Sequence, residues 1–298
     1  MSGRRALAAI TTAATTYGVL PLTITNQTEK GRIFRALHER NHAFIIPNPW
    51  DAGTARLLAH LGFEALATTS MGHALSRGKT DGSLTRDETL EYAAAIAAAT
   101  NLPVSADLEK GFGDAPEEAA KTIRLAAAAG VVGGSIEDAT GRPDDPIYEI
   151  KHAIDRVRAA VEEARALPFT FTLTARAENY LYGRADIKDT IKRLQAFEEA
   201  GADVLYAPGL QTKDDIATVV RSVDRPVNVL MGLRGVQLSA AELSAMGVRR
   251  ISVGSSLTRA ALGAFMRAAK EMREKGTFTF AAEAANSADI TAIFKSWG

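Results

Sequence analysis

Short apolar segments alternate with longer helical patterns from about residue 29 onward. Each apolar segment is nearly continuous, which indicates a strand buried on both faces of a parallel sheet. In the stretches between them, apolar positions recur every three or four residues, which predicts amphipathic helices. The predicted strands cover residues 43–48, 65–70, 103–109, 133–138, 169–176, 203–208, 226–231 and 250–254.

This alternation predicts the fold class. Eight strand–helix units within roughly 230 residues are what a (β/α)8 TIM barrel requires, and their even spacing favours closure over an open doubly wound sheet. Predicted helices stop at Gly130 and Gly201, and glycine commonly follows a helix C-terminus. No linker or low-complexity stretch marks a domain boundary. We therefore expect one barrel domain over residues 29–298, preceded by an N-terminal extension over residues 1–28.

Composition and charge exclude several classes of protein. The chain has 35 acidic and 35 basic residues, so nucleic acid is not an expected partner. Without cysteine it has no disulfide, thiolate metal site or cysteine nucleophile. No apolar run is long enough to cross a membrane. The first 28 residues have two arginines and no acid, a composition that resembles a transit peptide, but they lack the apolar core of a signal peptide. We expect a cytoplasmic protein whose extension packs on a neighbouring subunit.

Polar residues at the ends of the predicted strands are the candidates for chemistry, because barrel active sites lie at the carboxyl ends of the strands. They are Asn48, Trp50, Asp51, Thr69, Ser70, Asp81, Asp107, Glu109, Glu137, Asp138, Arg176, Glu178, Tyr206 and Asn228. Carboxylates so close repel one another unless a cation lies among them. Oxygen ligands without His or Cys indicate Mg²⁺ or Mn²⁺. Arg176 would then bind the carboxylate of a small acid.

Simpler interpretations apply to some of these acids. An Asp after a strand often caps the next helix, and we expect that role for Asp51 and Asp114. Asp107 and Glu109 are separated from the next helix by Gly-Phe-Gly, so we expect this pair to hold the metal. Asp138 could equally well brace the loop that follows it.

Other catalytic classes lack their essential residues. No predicted strand ends in lysine, which disfavours Schiff-base chemistry. Ser70 has no plausible histidine partner, which disfavours a Ser-His-Asp hydrolase. We expect His38 and His73 to pack or to lie on the surface rather than to bind metal.

Several motifs in this order resemble the isocitrate lyase/phosphoenolpyruvate mutase superfamily. They are PNPWDAGTARLL, ALATTS followed by DG, ADLEKGFGD, SIEDATG, TARAEN and PVNVL…GVRRISVGSSLTRA, and they extend from about Phe34 to Phe278. The resemblance implies a (β/α)8 barrel, usually a homotetramer that exchanges its last helix between neighbours. It also implies an Mg²⁺ site that stabilises an enolate or oxyanion of a small carboxylic acid.

The resemblance implies a role for each matching metal-shell residue. Asp107 matches the direct metal ligand, and Glu109 and Glu137 match acids that reach the metal through water. Asp81 matches a further carboxylate of the metal shell. Arg176 matches the arginine that binds the substrate carboxylate.

The remaining matches concern substrate binding. Thr69, Ser70 and Met71 match the segment that holds the other end of the substrate, and which of the two hydroxyl groups takes that role stays open. Trp50, Tyr206 and Asn228 are expected to contact the substrate from the pocket wall.

The loop after the fourth strand departs from the known branches. Isocitrate and methylisocitrate lyases carry Lys-Lys-Cys-Gly-His there, with cysteine as the general acid, whereas this chain reads EDATGRPDDPIYE. The lysine and asparagine of the mutase branch are also missing between Asp138 and Tyr148. What remains resembles the decarboxylase-like branch. It implies Mg²⁺-dependent decarboxylation of an oxaloacetate-like 2-oxo dicarboxylic acid through a metal-stabilised enolate.

Three alternatives stay open at this stage. The first is carbon–carbon bond cleavage or hydrolysis of malate-, methylisocitrate- or oxaloacetate-type acids. The second is phosphonopyruvate or phosphoenolpyruvate chemistry, or a phosphate site formed by the loops MGLRGV and SVGSS. The third is a binding or scaffold protein without catalysis.

Overall fold

The computed structural model describes residues 26–233 and 235–297. Most of the predicted N-terminal extension, residues 1–25, lies outside this range, and the first helix begins at Gln27. The strands are β1 (Phe44–Ile46), β2 (Leu66–Ala67), β3 (Val104–Asp107), β4 (Gly133–Glu137), β5 (Thr172–Arg176), β6 (Val204–Tyr206), β7 (Val227–Leu230) and β8 (Arg250–Ser252). Each lies within a predicted segment, so all eight strand predictions are confirmed.

Eleven α-helices of the described residues alternate with the strands. They are α1 (Gln27–His38), α2 (Ala52–His60), α3 (Ser70–Ser76), α4 (Arg86–Ala99), α5 (Pro116–Ala128), α6 (Ile150–Ala166), α7 (Ile187–Glu199), α8 (Lys213–Arg221), α9 (Ala240–Ala245), α10 (Ser256–Lys275) and α11 (Ser287–Lys295). Gly130 and Gly201 follow α5 and α7 with φ angles of 93° and 101°, as expected for glycine after a helix end. Within the described part of the chain, no helix is long and apolar enough to cross a membrane.

The strands form one eight-stranded parallel sheet in the order β1-β8-β7-β6-β5-β4-β3-β2. The two end strands meet at their carboxyl ends, where the Ala67 N–H donates to the Pro47 carbonyl oxygen at 3.1 Å. Asn48 reinforces this seam, since its amide donates to the Thr68 carbonyl oxygen at 3.0 Å and its Oδ1 accepts from the N–H groups of Val253 and Gly254, both at 2.9 Å. The predicted (β/α)8 barrel is confirmed.

The inner and outer faces of the barrel differ in character. Outward-facing Ile136, Leu173 and Ile251 belong to the main apolar cluster beneath the helices. Their neighbours Ser135 and Ser252 line a cavity inside the barrel instead. The expectation of strands apolar on both faces therefore holds only for the outer face, because the inner face lines a cavity with both polar and apolar side chains.

Helix α1 covers the amino-terminal end of the barrel. Phe34 and Leu37 pack against Phe44, Ile46 and other residues in a second apolar cluster. The approach is close, since a Cβ placed on Gly133 would lie 2.7 Å from the Phe34 ring. The helix therefore closes the floor of the barrel.

Replacing Gly31 by alanine should destabilise the protein although it improves helix propensity. A Cβ at this position of α1 would lie 2.3 Å from the Thr170 carbonyl oxygen, a backbone atom that cannot rotate away. Alanine is about 1 kcal/mol more favourable than glycine inside a helix, whereas overpacking typically destabilises the folded state by about 1–3 kcal/mol. We expect the free energy of unfolding, measured in urea, to fall by about 1–2 kcal/mol.

Gly263→Ala is the matched control. The nearest atom to its Cβ would be Nη1 of the flexible Arg267 side chain, at 3.4 Å. This variant should be unchanged or up to about 1 kcal/mol more stable. Equal stabilisation by both substitutions would show that α1 does not press on the barrel.

Helix α10 keeps large apolar side chains exposed, among them Phe265 at 70% and Met266 at 67% of their surface. Helix α11 contacts α2 of its own chain. Exchange of the last helix between subunits and assembly into a homotetramer stay predictions.

Candidate active site

A cavity of about 240 Å³ opens at the carboxyl ends of the strands. Most of the predicted site residues line it, namely Thr69, Ser70, Met71, Asp81, Asp107, Arg176, Tyr206 and Asn228. Glu137 lies beside it and contacts Arg176, while Glu109 borders a neighbouring groove with Lys110 and Arg86. Trp50 is not among the cavity-lining residues.

Arg176 stands at the centre of three carboxylates. Its Nη1 is 2.9 Å from Asp107 Oδ1, its Nη2 3.3 Å from Glu137 Oε2, and its Nε 2.8 Å from Glu178 Oε1. The guanidinium also lies over the Tyr206 ring, 5.1 Å from the centroid. Burial opposes ionisation of Arg176, but the three carboxylates raise its pKa above the ordinary value.

Two acids at this rim, Glu137 and Asp81, have raised pKa values. Burial raises the pKa of Glu137, and the Glu178 and Asp107 charges act in the same direction against Arg176. Asp81 is exposed at the cavity mouth, yet desolvation by the surrounding protein and the nearby Asp107 charge raise its pKa. The rim therefore carries more acidic groups than the single guanidinium of Arg176 can pair.

The segment after β2 distinguishes the two candidate hydroxyl groups. The Ser70 hydroxyl donates to Asp107 Oδ2 at 2.8 Å, and the Ser70 N–H donates to the same oxygen at 3.1 Å. Thr69 is the N-cap of α3, and its Oγ1 accepts from the Gly72 N–H at 3.1 Å. Of the two hydroxyls, that of Ser70 is therefore the one placed beside the carboxylates.

Glu109 is held in an unusual position. It has a φ of 49°, in the left-handed region that side chains rarely adopt. Its Oε1 is buried and has no hydrogen-bond partner among the described residues. Burial, with the charges of Asp107 and Asp81, raises the pKa of Glu109 to about 7. Buried carboxylate oxygens normally accept a hydrogen bond, so the absence of a donor to this oxygen requires an explanation.

These residues fit a divalent cation. Within residues 26–233 and 235–297, no three His, Asp or Glu side chains already enclose a common metal position. Mg²⁺ does not require such a cage, because it usually binds one or two carboxylates and keeps several waters. The unpartnered Glu109 oxygen and the excess of acids over cations at the rim are what a hydrated Mg²⁺ would compensate.

The segment from residue 107 to the loop at 139–147 is tied together by Asp114. Its carboxylate accepts hydrogen bonds from Lys110 at 2.8 Å, Arg142 at 2.7 Å and the Tyr148 hydroxyl at 2.6 Å. Asp114 is therefore not the helix cap that the sequence predicts, since Ala115 occupies that position without a side-chain cap. The cap role of Asp51 is confirmed, with a capping box to Thr54.

Asp138 braces the loop. Its carboxylate accepts from the Glu178 N–H at 2.8 Å and from Arg193 at 3.1 Å, and it is 2% exposed. His73 stacks on the Tyr92 ring at 3.9 Å. Both residues contribute to packing and to the position of the loops.

Arg156 is a structural residue that the sequence does not single out. It lies on α6, is 1% exposed, and donates to the Gly113 carbonyl oxygen at 2.8 Å and to the carbonyl oxygens of Lys110 and Asp114. It thus fixes the backbone of the segment that carries Glu109. The one signal in the sequence is that Arg156 falls on the apolar, buried face of the predicted helix, where a charged residue is unusual.

A second residue missed by the sequence analysis is Arg250, which lies inside the barrel at the start of β8. Its Nε donates to Asn228 Oδ1 at 2.9 Å, and Asn228 in turn donates to Ser252 Oγ at 3.0 Å. Its Nη2 donates to Thr174 Oγ1 at 3.0 Å. Both ends of the Asn228 amide are therefore engaged within the protein.

His38 lies below Arg250 and should make stability depend on pH. Burial and the Arg250 charge lower the pKa of His38 to about 3, so the folded protein keeps it neutral while the unfolded chain binds a proton near pH 6.5. This stabilisation is complete above about pH 6.5 and is lost as pH falls toward about 3. We expect His38→Gln to reduce the slope of unfolding free energy against pH in this window by up to about 1.4 kcal/mol per unit.

His60→Gln, at an exposed helix end, is the control for His38→Gln. Urea unfolding at several pH values measures the slopes. Identical slopes for wild type and His38→Gln would show that His38 is not held neutral.

Comparison with known proteins agrees with this fold. The family model of phosphoenolpyruvate phosphomutase matches residues 34–273, and the chain belongs to that family, within the superfamily of phosphoenolpyruvate mutase and isocitrate lyase. Members of this superfamily act on small oxo and hydroxy acids. The chain therefore belongs to a family of enzymes that comprises lyases, mutases and hydrolases.

Individual relatives cover most of the chain. A solved structure from Burkholderia cenocepacia J2315, whose assignment as a lyase or mutase is itself provisional, is 63% identical with a TM-score of 0.88 and covers 90% of this chain and 96% of its own. Oxaloacetate decarboxylase of Chromohalobacter salexigens is 28% identical over 81% of this chain and 84% of its own. 2,3-Dimethylmalate lyase of Eubacterium barkeri is 30% identical over 72% of this chain and 75% of its own.

Proposed function

We propose that this protein is a Mg²⁺-dependent lyase that decarboxylates an oxaloacetate-like 2-oxo dicarboxylic acid. The observation that carries the proposal is the cluster of Asp107, Glu137 and Arg176 at one end of a small cavity, with the Ser70 hydroxyl on Asp107. A cavity of about 240 Å³ suits a small acid rather than a drug-sized ligand. The oxaloacetate decarboxylase relative supports this choice of reaction.

Asp107, Glu109 and Glu137 would hold the metal. When bound there, Mg²⁺ would supply positive charge to the 2-oxo oxygen, where the electron pair of the broken bond accumulates as CO₂ leaves. Arg176 is already oriented at this end of the cavity by Glu178 and Tyr206, and it would bind a substrate carboxylate. Ser70 would orient the acid from the opposite side.

The reaction needs one proton and no group from the loop. Loss of CO₂ leaves the electron pair of the broken carbon–carbon bond in the enolate, which takes a proton at carbon to give the 2-oxo product. The loop at 139–147 folds back on itself, with the Thr140 N–H on the Pro146 carbonyl oxygen at 2.8 Å and the Tyr148 N–H on the Asp138 carbonyl oxygen at 2.8 Å. It carries neither lysine nor cysteine, which supports protonation by water rather than by a loop acid.

Turnover should require the metal. With Mg²⁺ and oxaloacetate, the purified protein should release pyruvate and CO₂ above the uncatalysed rate, EDTA should abolish this activity, and added Mg²⁺ or Mn²⁺ should restore it. Coupled detection of pyruvate measures the rate. Activity that persists in EDTA would exclude this mechanism.

A second candidate function uses the same residues for carbon–carbon cleavage of a substituted malate, and the 2,3-dimethylmalate lyase relative favours it. Product analysis separates the candidates. Decarboxylation gives pyruvate and CO₂, hydrolysis of oxaloacetate gives oxalate and acetate, and malate cleavage gives two shorter acids.

A further inference from the structure

The floor of the active-site cavity carries a positive charge that the proposed reaction does not use. Arg250 lines the cavity and is 5% exposed. Its Nη1 lies 3.5 Å from His38 Nε2, on the helix that closes the bottom of the barrel. His38 Nδ1 is 2.8 Å from the Phe34 carbonyl oxygen and must donate to it, so the unprotonated Nε2 faces Arg250.

No carboxylate of the described residues pairs with Arg250. Its partners are the Asn228 amide, the Thr174 hydroxyl and neutral His38. Only two of the five N–H groups of a guanidinium are therefore engaged at 3.0 Å or less. A buried cation without a charged partner is unfavourable. The other arginine of this cavity, Arg176, contacts three acids.

Two hydroxyl groups lie in the same part of the cavity. Ser105 and Ser135 line it, two residues before Asp107 and Glu137 on β3 and β4. Two residues along a strand correspond to about 6.6 Å, so these serines lie one layer below the proposed metal ligands. Neither serine hydroxyl has a hydrogen-bond partner in the described structure that would occupy it. The cavity lining thus holds two hydroxyl groups and a guanidinium that has no carboxylate partner among the described residues.

We propose that Arg250, assisted by Ser105 and Ser135, binds the second carboxylate of the substrate and makes the enzyme selective for dicarboxylic over monocarboxylic acids. This inference rests on the proposed function, which places the first carboxylate at Arg176, beside the metal that Asp107 would hold. The guanidinium is already desolvated and held by Asn228 and Thr174, so an incoming carboxylate gains a charge-assisted bond without reorganisation of the site.

Two ligands that differ by one carboxylate test the inference. L-Malate and L-lactate share a 2-hydroxy acid group, and only malate carries the distal carboxylate. With Mg²⁺ present, calorimetry on the wild-type protein should show malate binding at least about tenfold more tightly than lactate. In Arg250→Met this ratio should fall below about twofold, while the affinity for oxalate, which is too short to reach the floor, should change less than about twofold.

Arg249→Met is the matched control, because this neighbouring arginine does not line the cavity. It should keep the wild-type preference. Arg250→Lys keeps the charge and loses the two-pronged geometry, so it should keep part of the preference and serves as the second variant if Arg250→Met does not fold. An unchanged malate-to-lactate ratio in the Arg250 variants, or a wild-type protein without such a preference, overturns the inference.

The outcome is separable from that of the proposed function. If oxaloacetate is not decarboxylated but Arg250→Met still abolishes the preference for malate, the reaction assignment is wrong and the carboxylate-binding role of Arg250 is supported. If oxaloacetate is decarboxylated and Arg250→Met keeps the preference for malate, the carboxylate-binding role of Arg250 is excluded and the reaction assignment stands.

Discussion

Asp107→Asn should lower kcat for oxaloacetate decarboxylation by about 10³-fold or more, because a metal ion contributes several kcal/mol to such a reaction and each 1.36 kcal/mol is a factor of ten. The substitution keeps the shape of the side chain and removes the charge that Arg176 and Ser70 contact at 2.9 and 2.8 Å. The affinity for Mg²⁺ should fall together with kcat. Steady-state kinetics measures kcat, and calorimetric titration measures the affinity for Mg²⁺.

Asp214→Asn is the control for Asp107→Asn. This acid is exposed in the first turn of α8, and its loss should leave kcat unchanged. Without metal, Asp107→Asn should remain folded, because Arg176 keeps its contacts with Glu137 and Glu178. Full activity with normal Mg²⁺ affinity in Asp107→Asn would exclude Asp107 as the metal ligand.

Arg156→Met should have the largest effect on stability. The substitution removes the donor to the carbonyl oxygens of Lys110 and Gly113. It also removes one of the two donors to the Asp114 carbonyl oxygen, which still accepts from His152 Nε2 at 2.8 Å. Each buried polar group left unpaired lowers the free energy of unfolding by about 1–3 kcal/mol, so we expect a total decrease of about 3–5 kcal/mol. Urea unfolding should show a lower midpoint with an unchanged m-value, and Mg²⁺ affinity should fall because the Glu109 segment is no longer fixed.

Arg158→Met, two residues further along α6, is the matched control. Arg158 is exposed and pairs with Asp155 at 2.8 Å on the surface, so its loss should change the unfolding free energy by less than about 0.5 kcal/mol. Equal effects of the two substitutions would show that Arg156 acts as an ordinary surface charge.

The barrel could be predicted from sequence because each buried parallel strand is a compact apolar segment between amphipathic helices. The boundaries were less predictable. The second segment was predicted over residues 65–70, whereas β2 ends at Ala67 because Thr69 already caps α3. Local capping therefore competes with strand extension where the barrel begins its active-site loops.

The rim of the site could be predicted because barrel topology places all strand ends together, and the cavity accordingly collects Ser70, Asp107 and Arg176. The roles of Asp114, Arg156 and Arg250 could not. Each depends on which groups from distant elements lie opposite it, such as Tyr148 for Asp114 and Thr174 for Arg250. Sequence spacing does not encode these pairings.

The link through Asp114 has a consequence for the catalytic cycle. Lys110 follows the Glu109 position directly, and it contacts both Asp114 and the Thr140 carbonyl oxygen, at 2.8 and 2.7 Å. The loop and the acid-bearing segment are thus mechanically joined. Lifting the loop to admit an acid or release a product would pull on the residue next to Glu109. The affinity for the ion and the affinity for the product would then be thermodynamically linked, each raising the other.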